Sequence, residues 1–196
     1  MHANGIDYDT VKDIIYISVN FFSEVWVIDH STTTNEASST LGGNYNKGGD
    51  LLYRFGNPSA YNNASGTRTF YNNHFPNLLE NGVPGEGNML IFGNYGPNQS
   101  AESTVYEMMF PDPFLLLPNT NNEPTIVWSF TDKELSYGRV SGAVRLANGN
   151  TMICEGDYGY WNPVLYEVTN IKSENSFLKI KFKNTAQVGR VLIGYN

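Results

Sequence analysis

One three-part strand phrase returns three times along this chain in the same order, and no other feature of the sequence restricts the fold as much. Its first part is an apolar strand closing on small or polar residues: Ile15-Tyr16-Ile17-Ser18-Val19-Asn20, then Leu90-Ile91-Phe92-Gly93-Asn94-Tyr95, then Met152-Ile153-Cys154-Glu155-Gly156-Asp157. Its second part ends on an acidic or polar step: Val25-Trp26-Val27-Ile28-Asp29, Val105-Tyr106-Glu107-Met108-Met109 and Leu165-Tyr166-Glu167-Val168-Thr169. The third is aromatic, Leu52-Tyr53-Arg54-Phe55 and Val127-Trp128-Ser129-Phe130, with a weaker copy at Leu178-Lys179-Ile180-Lys181-Phe182. A segment running into a turn precedes each phrase: Ile6-Asp7-Tyr8-Asp9, Phe75 to Gly82, and Ala143 to Asn150.

Apolar runs at 14–19, 24–28, 51–55, 88–92, 104–109, 125–130, 151–154, 164–168 and 177–182 are rich in Ile, Val, Tyr, Phe and Trp and bounded by Gly, Asn, Asp and Pro. That punctuation marks strands, and helical periodicity is almost absent. Four strands per unit, repeating every ~60 to 75 residues, fit the blade of a β-propeller. The sequence therefore predicts an all-β fold: a partial, about three-bladed propeller of four-stranded antiparallel blades in a single domain. Its approximate blades span 2–58, 74–132 and 141–183, and 184–196 offers a strand of a further blade. A β-sandwich would explain the composition but not the ordered recurrence. Three blades are too few for a closed ring, so the chain reads as part of one. The polar stretches 31–49 and 111–124 are loop excursions within the domain.

Composition narrows the function. Aromatic residues at 14% against 16% charged residues do not match a disordered chain. With Lys+Arg 12, Asp+Glu 19 and a net charge of -7, there is no basic surplus for a phosphate backbone, so nucleic acid is not an expected partner. No apolar run approaches the ~18 residues of a membrane helix, and no membrane partner is expected. Met1-His2-Ala3-Asn4 has neither the basic start nor the apolar stretch of a signal peptide, and the sequence assigns no compartment. Cys154 is the only cysteine, which excludes an intrachain disulfide and a cysteine-rich zinc site.

In a propeller the first strands lie innermost, so their residues converge on one axial channel. His2 opens the first unit and His74 stands 72 residues on; Ser141 follows a further 67 on, in the third unit. The expectation is that His2 and His74 line the channel at matching positions, while His30 is a polar residue beside a turn. A neutral imidazole serves as nucleophile, acid, base or metal ligand. No His-x-His, HExxH or carboxylate triad accompanies either residue, so neither metal nor cofactor is expected. The Gly-rich segment 81–88 lacks the Lys-Ser/Thr of a phosphate loop and reads as structural.

Several phrases resemble the PQQ-like propellers of the bacterial arylsulfotransferases. They are His2-Ala3-Asn4-Gly5-Ile6-Asp7-Tyr8-Asp9, Gly49-Asp50-Leu51-Leu52-Tyr53-Arg54-Phe55-Gly56-Asn57-Pro58, Asn73-His74 with Gly87-Asn88-Met89-Leu90-Ile91-Phe92-Gly93-Asn94, and Ser141-Gly142-Ala143-Val144-Arg145-Leu146-Ala147-Asn148-Gly149-Asn150-Thr151. The resemblance implies transfer of a sulfuryl group from a phenolic sulfate ester to a phenol acceptor through a sulfated histidine. On it His74 is the nucleophile, and His2, Asn4, Asn20 and Ser141 bind the sulfated substrate. Asn20 stands where the family places an arginine, and Phe75-Pro76 after His74 departs from the family neighbourhood. The family's propeller has six blades, so the resemblance covers later blades and makes a second copy of the chain a possible ring-completing partner. The alternative is a propeller-derived module that binds or assembles without catalysis.

Overall fold

The structure is a computed structural model that describes residues 2–113, 117, 119–133, 135, 140–156, 164–169 and 177–181. The expected strand of a further blade, 184–196, lies outside the described residues.

All-β character is borne out. Three antiparallel four-stranded sheets follow one another along the chain, each strand pairing with the next. The first holds β1 (Ala3–Asp9), β2 (Ile14–Val19), β3 (Glu24–Asp29) and β4 (Tyr53–Phe55). The second holds β5 (Tyr71–Leu78), β6 (Met89–Tyr95), β7 (Thr104–Met109) and β8 (Thr125–Phe130). The third holds β9 (Gly142–Arg145), β10 (Thr151–Glu155), β11 (Val164–Val168) and β12 (Phe177–Lys181). A single turn of helix, α1 (Thr34–Ala37), is closed by a capping box between Thr33 and Glu36 inside the loop after β3.

The middle sheet holds the stack together. Met89, Leu90, Ile91 and Phe92 of β6 are all fully buried, the continuous apolar run of a strand covered on both faces. Alternation divides them: Met89 and Ile91 pack with Ile14, Tyr16, Val25, Val27, Tyr53 and Phe55 of the first sheet. Leu90 and Phe92 pack with Ala143, Ile153, Tyr166 and Val168 of the third. Two separate cores, one on each side of the middle sheet, are not the single core of a two-sheet sandwich.

The outer sheets are half covered. On β2 and β3, Ile14, Tyr16, Val25 and Val27 are buried while Ile15, Ile17, Trp26 and Ile28 are only half-buried on the opposite face. On the third sheet Ala143 and Ile153 face inward and Val144, Met152 and Cys154 face away.

The first strands of the three sheets lie beside one another, β1 against β5 and β5 against β9. Gly5 permits the first contact, because a Cβ there would stand 2.5 Å from Cδ of Pro76. Asp7 fastens the same seam, its carboxylate accepting from the Leu78 backbone N–H at 2.5 Å. A buried ion pair joins the middle and third sheets, Arg145 donating to Glu107, with Asn88 adding a 2.7 Å hydrogen bond to the same carboxylate.

The first core contains phenols, and this gives stability a pH dependence. Burial pushes the ionisation of Tyr16 and Tyr53 far above the usual tyrosine range, with the charge of Glu123 adding to the effect at Tyr53. The folded protein therefore keeps these protons at a pH where the unfolded chain has lost them. Their contribution is whole below ~10, the ordinary tyrosine value, and declines as pH rises above it, since the unfolded state then binds fewer protons. We expect the urea midpoint to fall steeply above that pH in wild type and less steeply in Tyr16→Phe; parallel profiles for the two proteins would contradict it.

Candidate functional site

Strand β5 carries the densest polar chemistry in the molecule, and its backbone is bent to do so. Asn72 and Phe75, flanking Asn73-His74, have φ of 52° and 51°. For a bulky residue such as Phe75 this left-handed conformation is strained and needs surrounding structure to hold it. Part of that hold is Ser23, whose hydroxyl oxygen accepts from the Asn72 backbone N–H at 3.0 Å.

Asn73 is fully buried and joins the first two sheets. Its backbone carbonyl accepts from Asn4 Nδ2 at 2.9 Å, Ser18 Oγ at 3.1 Å and Asn20 Nδ2 at 3.1 Å. Its own Nδ2 donates to Ser18 Oγ at 2.7 Å and to the Glu24 carbonyl at 2.9 Å. Buried polar groups have to be paired in this way, and here the pairing runs across the seam between sheets.

Above that clamp opens a cleft of about 500 Å³. His2, Asn20, Asn72 and His74 line it, together with Asn94, Phe21, Tyr95 and Val140. His74 is 8% exposed, and its Nδ1 lies 2.9 Å from Oδ1 of Asn94 on the neighbouring strand. With the Asn94 amide oxygen as acceptor, Nδ1 is the donor of this contact. His2 is exposed at the rim, stacked on Phe21 with ring centroids 5.1 Å apart, and its carbonyl accepts from the Asn20 N–H at 2.8 Å.

The expected site residues are thus brought together in part. His2, Asn20 and His74 share the cleft, whereas Asn4 lies beneath it with its amide committed to Asn73. Ser141 belongs to a separate recess with Phe75 and Val140, where its hydroxyl oxygen accepts from the Gly156 N–H at 3.0 Å. Asn20 is 4% exposed and also accepts from Asn72 Nδ2 at 3.1 Å, so an arginine in its place would break the clamp.

Register corrects the expected equivalence of the two histidines. His74 pairs with Phe92, which pairs in turn with Val105 at the start of the second part of its phrase; in the first unit Val25 holds that place and pairs with Ser18, and Ser18 pairs with Gly5. In the third unit the counterpart is Cys154, which pairs with Gly142. The matching positions are therefore Gly5, His74 and Gly142, and His2 reaches the cleft from three residues earlier. The cause is a register shift at a different point in each first strand, between Ala3 and Gly5 in β1 and between His74 and Asn77 in β5, so residue counting does not preserve alignment. His30 lies at the opposite end of the first sheet, its Nδ1 2.7 Å from Asp13 Oδ1, beside a turn as its sequence context suggests.

Sequence reading did not single out Asn94 or Asn73. A signal existed for Asn94, since the first two phrases each close their apolar strand with an asparagine, Asn20 and Asn94. Comparison with family models, curated proteins and solved structures gives no match to this chain.

If Asn94 sets the tautomer, Asn94→Leu removes the acceptor and redistributes the proton between the two ring nitrogens of His74. The imidazole 15N shifts, read in labelled protein, should move from a single Nδ1–H pattern toward a mixture. An unchanged pattern would mean that Asn94 does not hold the ring.

Proposed function

We propose that this chain forms three consecutive blades of an arylsulfotransferase-like propeller, in which His74 carries a sulfuryl group from a phenolic sulfate ester to a phenol. Three meanders in chain order, stacked face to face with their first strands adjacent, support the propeller reading. The observation that carries the chemistry is the Nδ1–Asn94 contact inside the cleft, which with Nδ1 as donor makes Nε2 the attacking nitrogen on this reading. Phe21 and Tyr95 in the walls suit an aryl ring.

In the first half-reaction the Nε2 lone pair forms the N–S bond while the ester S–O bond breaks, and the phenoxide departs with that electron pair. In the second the acceptor phenol gives up its proton, its oxygen bonds to sulfur, and the N–S pair returns to Nε2. The proton lost by the acceptor balances the one gained by the departing phenoxide. Neither half requires a metal or cofactor.

A specific observation favours a second reading, a propeller-derived module that binds a ligand in the same cleft without catalysis. The amide nitrogens of Asn4 and Asn20, needed to orient sulfate oxygens, each donate to the Asn73 carbonyl, and the described lining includes no Arg or Lys.

The decisive experiment follows a chromogenic aryl sulfate with an added phenol, then mass analysis for sulfated histidine. His74→Ala should abolish transfer. His2→Ala should slow it by on the order of 100-fold, the usual cost of one lost oxyanion donor. Full activity in His74→Ala would refute the site, and no transfer by the wild type would leave the binding module. Asn20→Arg should lower the unfolding midpoint rather than raise the rate.

The open faces of the outer sheets, Ile15, Ile17, Trp26 and Ile28 on one and Val144 and Met152 on the other, are the surfaces a further sheet would cover. We propose a second copy of the chain as that cover. Sedimentation at micromolar concentration should give a dimer, and Trp26→Glu should dissociate it; a well-folded monomer in the wild type would overturn the proposal.

A further inference from the structure

A second cleft, of about 600 Å³, lies outside the His74 site, between the short 3₁₀ turn Pro58–Tyr61 and the chain leading into β5. Its wall combines amide and hydroxyl groups, Asn57, Ser59, Asn62 and Asn63 from one loop and Asn119 from the distant loop before β8, with Pro58, Ala64 and Tyr71. That distant loop is tied in, the Asn119 N–H donating to the Asn62 carbonyl at 3.1 Å. Asn63 is 2% exposed, with Nδ2 donating to Asn121 Oδ1 at 3.3 Å and Glu123 Oε1 at 3.0 Å. Its Oδ1 is buried without a hydrogen-bond partner.

The charged group of the cleft is Arg68. Its guanidinium lies over the ring of Tyr71, 3.8 Å from the centroid, so it donates only in its own plane. The other two described arginines are each consumed by a carboxylate, Arg54 by the buried Glu24 and Arg145 by Glu107. Arg68 has no carboxylate partner among the described residues. Its hydrogen bond to the Phe22 carbonyl is 3.5 Å long, and its Nε is buried without a partner. In a chain of net charge -7, a half-buried, uncompensated guanidinium fixed on an aromatic face is a prepared anion contact. Glu123, which accepts from Asn63 at the edge of the cleft, is turned to Tyr61 and Asn63.

The cleft is several times larger than a bare oxoanion needs, and its other walls present carboxamides and a hydroxyl, which pair with vicinal diols. We infer that this cleft binds an acidic saccharide, with the carboxylate or sulfate of the sugar on Arg68 and its hydroxyls on the asparagine amides. The site is independent of the sulfuryl-transfer reading, since none of its residues lines the His74 cleft.

Titration of the full chain, followed by calorimetry and amide chemical shifts, tests this with four probes: glucuronate, glucose 6-sulfate, glucose and inorganic sulfate. The two acidic sugars should bind at least 10-fold more tightly than glucose or inorganic sulfate and should move the amide signals of residues 57–71. Arg68→Gln should weaken them at least 10-fold while His74→Ala leaves them unchanged. Asn57→Asp, a near-isosteric exchange at a half-buried position, should weaken them by repulsion and serves if Arg68→Gln does not fold. Equal binding of glucose would overturn the anion assignment. Inorganic sulfate binding as tightly as the sugars would overturn the saccharide assignment. Wild-type affinity in a folded Arg68→Gln or Asn57→Asp protein would overturn the site.

Discussion

A strand that is apolar on both faces needs a sheet on each side, and β6 is such a strand. Met89, Leu90, Ile91 and Phe92 leave no face for water, so the second sheet cannot sit at the surface of a two-layer structure. Each full burial of a large apolar side chain contributes roughly 1.5–3 kcal/mol, which is enough for four such residues to dictate the layer order. The first and third sheets follow from this as its two covers, and their outward faces are what remains uncovered.

Stacking three sheets face to face brings their first strands into one seam, and that seam has to be polar where backbones meet. Asn73 answers the requirement. Its carbonyl and carboxamide satisfy donors and acceptors from β1, β2, β3 and the turn after β2, so one residue sets how the first sheet meets the second. His74 comes next in the chain, and the rigid clamp under it fixes where its ring emerges. The same clamp consumes amides that would otherwise face the cleft. Structure and chemistry draw on one small set of side chains here, which is why a substitution such as Asn20→Arg has consequences for both.

The described charges divide in a similar way. Arg54 and Arg145 hold Glu24 and Glu107 within or between sheets, and each also lies near a tryptophan, Trp26 and Trp128. Removing either carboxylate would strand a partly or fully buried cation, a loss of about 3–5 kcal/mol for a buried pair such as Arg145–Glu107. Arg68 has no such partner among the described residues and lies over the Tyr71 ring instead.

The repeated phrase by itself determined the all-β class, the grouping into units of four strands and the span of β2, β7, β8 and β11, because these strands are long, β-branched and aromatic and carry their own alternation. The first strands were less legible: Ala3-Asn4-Gly5 and Tyr71-Asn72-Asn73-His74 have the Asn and Gly content of loops, and they are strands because neighbouring sheets satisfy their polar groups. For that reason β5 begins at Tyr71, ahead of the histidine. Only the tertiary structure decided which residues meet. Two register shifts at different points made Gly5, and not His2, the counterpart of His74, and no count of residues reveals a bulge. Likewise Asn94 and Arg68 gain their roles from what stands opposite them, an imidazole in one case and the absence of a described carboxylate in the other. Local pattern specifies strands, whereas pairing across sheets and the need to satisfy buried polar atoms specify a site.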